Sequence, residues 1–466
     1  MQIVASPEQP AAPPGKSAAP SHRRSIRALA TVGYISIGSL LAKAVQDLVL
    51  AYTMGANFAV DSYAISFIIV MVAVRIIVSP VISSFLPTYI TALEEGGREP
   101  ANRLLGELLP MACVAAFVLT GLLALGAPAL LFIGQTTGLS PQTTALSIDM
   151  LRIFLLLVPL RAGSQIAAAI LNAEHKFAIP TATGALPPLV AIGFMLAATS
   201  TLGIYALVIG TMLGETVQLL ALLYLALKST GRIHLHWAGL SPELRIILRQ
   251  YLPALAGTSI SVFNPMVDRA IAAGLGPGSI AHLLYGQKLV GAGLEIAIYA
   301  VSSVLLPLFS RQVAMRDWAG VRKSMILYSL LFCGLSLPLV IAAQLLSVDL
   351  VRLLLQRGAF HAADTQAVAA VMRMSAYQIP FYVAGTMIAR VISAMRATYI
   401  LTIGAVISFI INIGLDILFA RYWGLPGIAL SSSAVFLFAF LYLFAAASLM
   451  VRNRERAARG TKIAGT

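Results

Sequence analysis

The residues with chemistry to offer in this chain are charges set where charge is costly. The stretch 47–61, DLVLAYTMGANFAVD, places Asp47 near the start of an apolar run and Asp61 at its end. Lys43 lies four residues before Asp47, so the two can meet on one helix face. A second stretch, 268–276, DRAIAAGLG, carries Asp268 in a similar setting beside Arg269. Sequence neighbours point apart on a helix, so each of those two needs a partner elsewhere. Lys43, Arg75, Arg152, Arg161, Arg269, Lys288, Arg373 and Arg390 fall inside apolar runs, as do Asp47, Glu215, Asp268, Glu295 and Asp416. A charge at bilayer depth costs roughly 2.5–3.5 kcal/mol on insertion scales, so such groups pair, snorkel to an interface or line water. Lys43, Arg75 and Lys288 are the candidates for a cationic central cavity, which attracts phosphate or carboxylate. Glu295, seven residues after Lys288 and on the same helix face, partly neutralises that charge. Covalent chemistry is not indicated. There is no Ser-His-Asp arrangement, no metal-ligand cluster and no nucleotide-binding loop, so neither catalytic residues nor cofactors are expected. The histidines, His282 and His361 among them, read as solvated loop residues. Energy would come from ion gradients, membrane potential or the substrate gradient.

Composition says what must position these charges. Of 466 residues, 59% are hydrophobic and 11% charged, with a mean hydropathy of +0.88. Soluble domains are about 25% charged. The apolar runs are about 20 residues or longer and unbroken, the mark of membrane-spanning helices rather than of a β-barrel. Twelve spans are expected: 28–54, 62–92, 105–133, 146–172, 177–199, 203–228, 247–273, 282–308, 323–347, 364–393, 398–420 and 424–451. The net charge of +14 does not point to nucleic acid, because the basic residues gather at span ends and in alternate loops. That asymmetry puts both termini in the cytoplasm. Residues 1–27, rich in Pro, Ala and Ser, are expected to form a disordered cytoplasmic tail without a cleavable signal. Residues 452–466 form a basic cytoplasmic tail. Cys113 and Cys333 read as small apolar residues.

The chain repeats itself. Asp47, Ala51 and Gly55 share their spacing with Asp268, Ala272 and Gly276. SSFLP at 83–87 echoes SSVLLP at 302–307, and MLRIFLLLVP at 150–159 echoes VMRMSAYQIP at 371–380. The order is kept, so two six-helix lobes are expected, 28–228 and 247–451, joined by a cytoplasmic linker at 229–246. An even number of spans per half makes the repeat parallel, with two lobes around a central cavity. The duplicated aspartates brace neighbouring helices or respond to a coupling ion.

At these residues the sequence resembles the MurJ/MviN lipid II flippases of the MOP superfamily. QDLVLAYTMGANFAVDSY (46–63), LNAEHKFAIP (171–180), LLYGQKLVGAGLEIAIYAVSSVLLPLFSR (283–311) and LLLQRGAFHAADT (353–365) are similar to motifs of that family. The resemblance covers about 28–451. It implies an all-α polytopic protein of MATE-like architecture in the bacterial inner membrane. The implied activity is alternating-access flipping of a polyprenyl-diphosphate-linked saccharide, either a lipid II-like peptidoglycan precursor or an exopolysaccharide unit. It carries the diphosphate role onto Arg75 and Lys288, with Lys43 assisting, and matches Asp47 and Asp61 to acidic positions of the family. The sequence departs from the family at Gln46, at VMVAVR (70–75) with its single arginine, and at Ser79. The family usually has fourteen spans, so the last two are expected to be missing. The expected partners are a lipid-linked oligosaccharide, the bilayer and a coupling ion. The rival readings are a cation-coupled multidrug antiporter of the MATE type, a membrane enzyme of glycan assembly, and a non-transporting scaffold for cell-envelope synthesis.

Overall fold

The computed structural model describes residues 22–136, 139–231, 241–395 and 397–463, and these fold almost wholly into helices. The first half holds α1 (His22–Met54), α2 (Phe58–Gly96), α3 (Arg98–Thr136), α4 (Pro141–Phe154), α5 (Leu157–Ala173), α6 (Ala178–Thr183), α7 (Leu186–Leu202) and α8 (Tyr205–Thr230). The second holds α9 (Pro242–Ala273), α10 (Ser279–Ala314), α11 (Trp318–Leu355), α12 (Ala362–Ala376), α13 (Gln378–Ala394), α14 (Tyr399–Trp423) and α15 (Leu425–Ile463). Taking α4–α5, α6–α7 and α12–α13 as broken pairs gives one unit for each of the twelve expected spans. Among the described residues, eight are long and apolar enough to cross a membrane, or nine if α4 and α5, bent by 41°, are one span. The remaining expected spans are the helices α9, α10 and α12–α13. Residues 1–21 and the middle half of the expected linker, 232–240, lie outside the described residues. Helix α1 already begins at His22, and α15 runs on through the basic tail to Ile463.

The two halves keep a spacing of 221 residues at Asp47/Asp268, Arg152/Arg373 and Gly203/Gly424, with a local shift of one to two residues at SSFLP/SSVLLP. The backbone keeps the same register. Gly55 and Gly276 both take positive φ (65° and 115°), as do Gly203 and Gly424 (55° and 62°). The breaks between α4 and α5 and between α12 and α13 also coincide, and the echoed prolines explain them. Pro159 and Pro380 each stand third in the following helix. Proline has no N–H and clashes with the carbonyl four residues back, so the preceding helix is interrupted there.

Local capping sets the helix starts. Asn57 accepts from the N–H groups of Ala59 (3.0 Å) and Val60 (3.2 Å) at the head of α2. Ser140 caps α4 ahead of Pro141, and Asp317 caps α11. Leucines on α3 and α11, such as Leu122, Leu125, Leu330 and Leu335, are exposed. Exposed apolar side chains in such numbers are a liability in water and a match to lipid.

Candidate functional site

The two lobes are clasped at the end of the bundle where α1 turns into α2. Gly55 turns the chain there, and Asp61 lies on the first turn of α2. Asp61 is buried, yet its acceptors are filled from the other lobe: the N–H groups of Gly278 (2.5 Å) and Ala281 (2.7 Å) both donate to its carboxylate. These N–H groups belong to the start of α10, whose own N-cap residue, Gly278, brings no side chain. A carboxylate from one lobe thus caps a helix of the other, at the positive end of its dipole. The Tyr285 hydroxyl donates to the Gly55 carbonyl (3.2 Å), and the Ala359 N–H donates to the Tyr52 carbonyl (2.9 Å). The backbones meet so closely that a Cβ on Gly55 would fall 2.2 Å from the Ala359 carbonyl oxygen. Among the described residues, the polar contacts at the other end of the bundle stay within a lobe. Arg98 donates to the Ser229 carbonyl (2.6 Å), and Arg454 donates to the Met395 carbonyl (3.2 Å) while stacking over Trp318.

Below the clasp, Lys288 of α10 forms an ion pair with Asp47 of α1, across the lobe junction. Asp47 is eight residues before Gly55, or roughly 12 Å down the helix, which is mid-depth in a hydrocarbon core of about 30 Å. The Lys288 side chain is 43% exposed and that of Asp47 24%. The pair is therefore open to whatever enters between the lobes. Sequence spacing offered Asp47 the nearer partner Lys43, but the structure gives it Lys288. Lys43 and Arg75 are exposed, on α1 and α2, and among the described residues neither makes an ion pair. No hydrogen bond or ion pair among those residues joins Arg75 to Lys288. The Glu295 side chain lies outside the described residues.

Asp268, the repeat partner of Asp47, has a different setting. It is buried between α9, α10, α14 and α15. Its Oδ2 accepts from Gln287 (3.5 Å) and Ser432 (3.3 Å). Asp416 of α14, also fully buried, stands against it and accepts from the Ser431 hydroxyl. Asp268 Oδ1, Asp416 Oδ2 and Asn412 Oδ1 are buried oxygens that no donor reaches. Two facing carboxylates with orphaned oxygens suit a small hard cation or a shared proton.

The chain belongs to the lipid II flippase MurJ family. The model of that family matches residues 50–458. A probable lipid II flippase MurJ of Aquifex aeolicus is 26% identical over 352 residues, covering 74% of this chain and 68% of the relative. One from Synechocystis is 24% identical over 434 residues, covering 89% and 80%. Among solved structures, lipid II flippase MurJ in an inward closed conformation superposes with a TM-score of 0.75 at 21% identity, covering 90% of this chain and 87% of that one. An inward-facing MATE multidrug transporter reaches 0.77 at 12% identity, covering 92% and 99%. Likeness at such identities shows a shared MOP-type fold. The family match separates the chain from the multidrug branch.

Of the residues singled out from sequence, the MurJ-type fold joins Asp47 with Lys288 and uses Asp61 to tie the lobes. It pairs Asp268 with a residue that sequence reasoning noted only as an embedded acid, Asp416. His282, expected in a solvated loop, sits instead on α10 with only 16% of its side chain exposed, 2.9 Å from Asp364 of α12. Two further embedded charges, Arg161 and Glu215, form an ion pair inside the first lobe.

Proposed function

We propose that this transporter moves a polyprenyl-diphosphate-linked saccharide across the cytoplasmic membrane, its lobes rocking to expose a central cavity first to one face and then to the other. The family match along 50–458 is the observation that carries this reading. The clasp supports the mechanism, because a set of cross-lobe hydrogen bonds gathered at one end seals one face. On the positive-inside reading the sealed face is the outer one and both termini are cytoplasmic.

Lys288 is the leading contact for the diphosphate, with Arg75 and Lys43 as further cations. Phosphate oxygens accept charge-assisted hydrogen bonds from an ammonium, and do so more strongly where water is sparse. Lys288 is held by Asp47 of the other lobe, so a diphosphate that takes the ammonium loosens a tie between the lobes. Substrate binding would then favour rocking by weakening a contact between the lobes. The polyprenyl tail would stay in lipid. Asp268, Asp416 and Asn412 are the residues that would hold a coupling cation. Their donor set of carboxylate and amide oxygens fits sodium or a proton, either of which would stabilise an otherwise repulsive pair of carboxylates.

The test is rescue of a bacterium depleted of its lipid II flippase. The parent chain is expressed beside an Arg75→Ala/Lys288→Ala variant of equal membrane abundance. Rescue by the parent alone is the expected result. Rescue by both would remove the cavity assignment, and rescue by neither would replace lipid II with an exported-polysaccharide carrier as substrate.

A further inference from the structure

We propose that Arg161 is a second diphosphate-binding cation, serving the first lobe as Lys288 serves the second. The inference rests on the polyprenyl-diphosphate reading above. In the 221-residue register the counterpart of Lys288 is Phe67 of α2. That position carries no charge of its own, but it holds one. The Arg161 guanidinium of α5 lies 6.0 Å from the centre of the Phe67 ring, in cation–π range. Tyr63 stacks on the same ring at 5.5 Å. The guanidinium therefore lies over the first-lobe counterpart of Lys288, at the place where the repeat puts a cation in the other lobe.

Its partners leave it able to bind. Glu215 of α8, itself buried, takes one edge of the guanidinium through Nη2. Arg161 Nε is buried with no acceptor, and the side chain is 30% exposed. A guanidinium carries five N–H donors in a rigid fork suited to phosphate, and one carboxylate oxygen does not exhaust them.

The repeat also weighs against a purely structural brace. The counterparts of Arg161 and Glu215 are Tyr382 and Phe436. These make an edge-to-face aromatic contact with centroids 4.7 Å apart. The same junction between helices is thus filled in the second lobe without any charge. A buried ion pair is no more stabilising than good apolar packing of similar volume, so packing does not require the charges in the first lobe. One cation at Lys288 and one held over its repeat counterpart Phe67, one from each lobe, match a ligand with two linked phosphates.

The experiment uses the purified full-length chain and two probes, farnesyl diphosphate and farnesyl monophosphate. Their affinities are measured for the parent and three variants. Arg161→Tyr/Glu215→Phe installs the pair that the second lobe already accommodates. Arg161→Gln/Glu215→Gln removes charge while keeping hydrogen bonding, and serves if the aromatic pair does not fold. Arg161→Lys keeps the charge. The parent should prefer the diphosphate by about tenfold or more, as expected for one additional charge-assisted contact. The neutral variants should lose that preference with monophosphate affinity unchanged, and Arg161→Lys should retain most of it. A folded neutral variant that keeps the parent's preference overturns the role of Arg161 alone. A parent with no preference overturns the diphosphate reading, and this inference with it.

Discussion

Asp47 and Lys288 meet although Lys43 stands one turn from Asp47 on its own helix. A pair within one helix would be indifferent to how the lobes sit, whereas the pair that forms reports it. Exchanging the two charges, Asp47→Lys with Lys288→Asp, should therefore restore lobe pairing but not transport, measured as protein stability beside flipping in vesicles. Asp61 does a different job. Asp61→Ala would leave two N–H groups of α10 without an acceptor, at about 1–3 kcal/mol each. We expect a stability loss of roughly 2–4 kcal/mol in detergent denaturation, with Asp61→Asn losing less because it keeps one acceptor. Asp268→Asn and Asp416→Asn should each abolish any dependence of transport on sodium or proton gradient, read by varying the imposed gradient. Sequence exposed all of these carboxylates as anomalies. It did not expose their partners, because Asp416 and Asn412 reach Asp268 only through the packing of α14 on α9, 144–148 residues apart in sequence.

Helices were more legible than their breaks and the contacts they create. Apolar runs marked the twelve units, but 146–172 and 364–393 were read as unbroken spans, and the echoed Pro159 and Pro380 explain their breaks only once the structure shows them. The clasp was hidden, since it is made of backbone groups whose meeting depends on three turns arriving together. Gly55 and Gly358 show how tight that meeting is. Both have positive φ (65° and 59°), and a Cβ on Gly358 would fall 2.3 Å from the Tyr52 carbonyl oxygen. Gly55→Ala adds a backbone strain of roughly 1–2 kcal/mol to the clash, so it should hold the clasp open. With Cys113 and Cys333 replaced by Ala and a cysteine placed at Ala56, labelling by a membrane-impermeant thiol reagent should rise several-fold in Gly55→Ala over the parent. Unchanged labelling would show that the turns adjust without parting.

Across the whole molecule, duplication supplied the frame and divergence supplied the function. The same positions hold Asp47 in one lobe and Asp268 in the other, yet one bridges the lobes and the other faces Asp416 inside its lobe. The repeat could be read from sequence alone because its echoes keep their order and nearly the same spacing. The divergence could not, since it lies in which neighbours each copy acquired. Charge bias between alternate loops remains the guide to orientation. Reporter domains fused at either terminus should be active only in the form that requires the cytoplasm, and moving the basic residues Arg98 and Arg103 from the start of α3 to the opposite side should weaken that preference.

The cap that Asp61 places on α10 has a consequence for the solvent. When the lobes part at that end, the first N–H groups of α10 and the Asp61 carboxylate lose each other, and only water can replace the lost bonds. Opening is then a hydration event, with several molecules taken up per cycle. Polymers too large to enter the cleft should withdraw that water and slow turnover as their osmotic pressure rises, while small osmolytes that penetrate the cleft should have little effect.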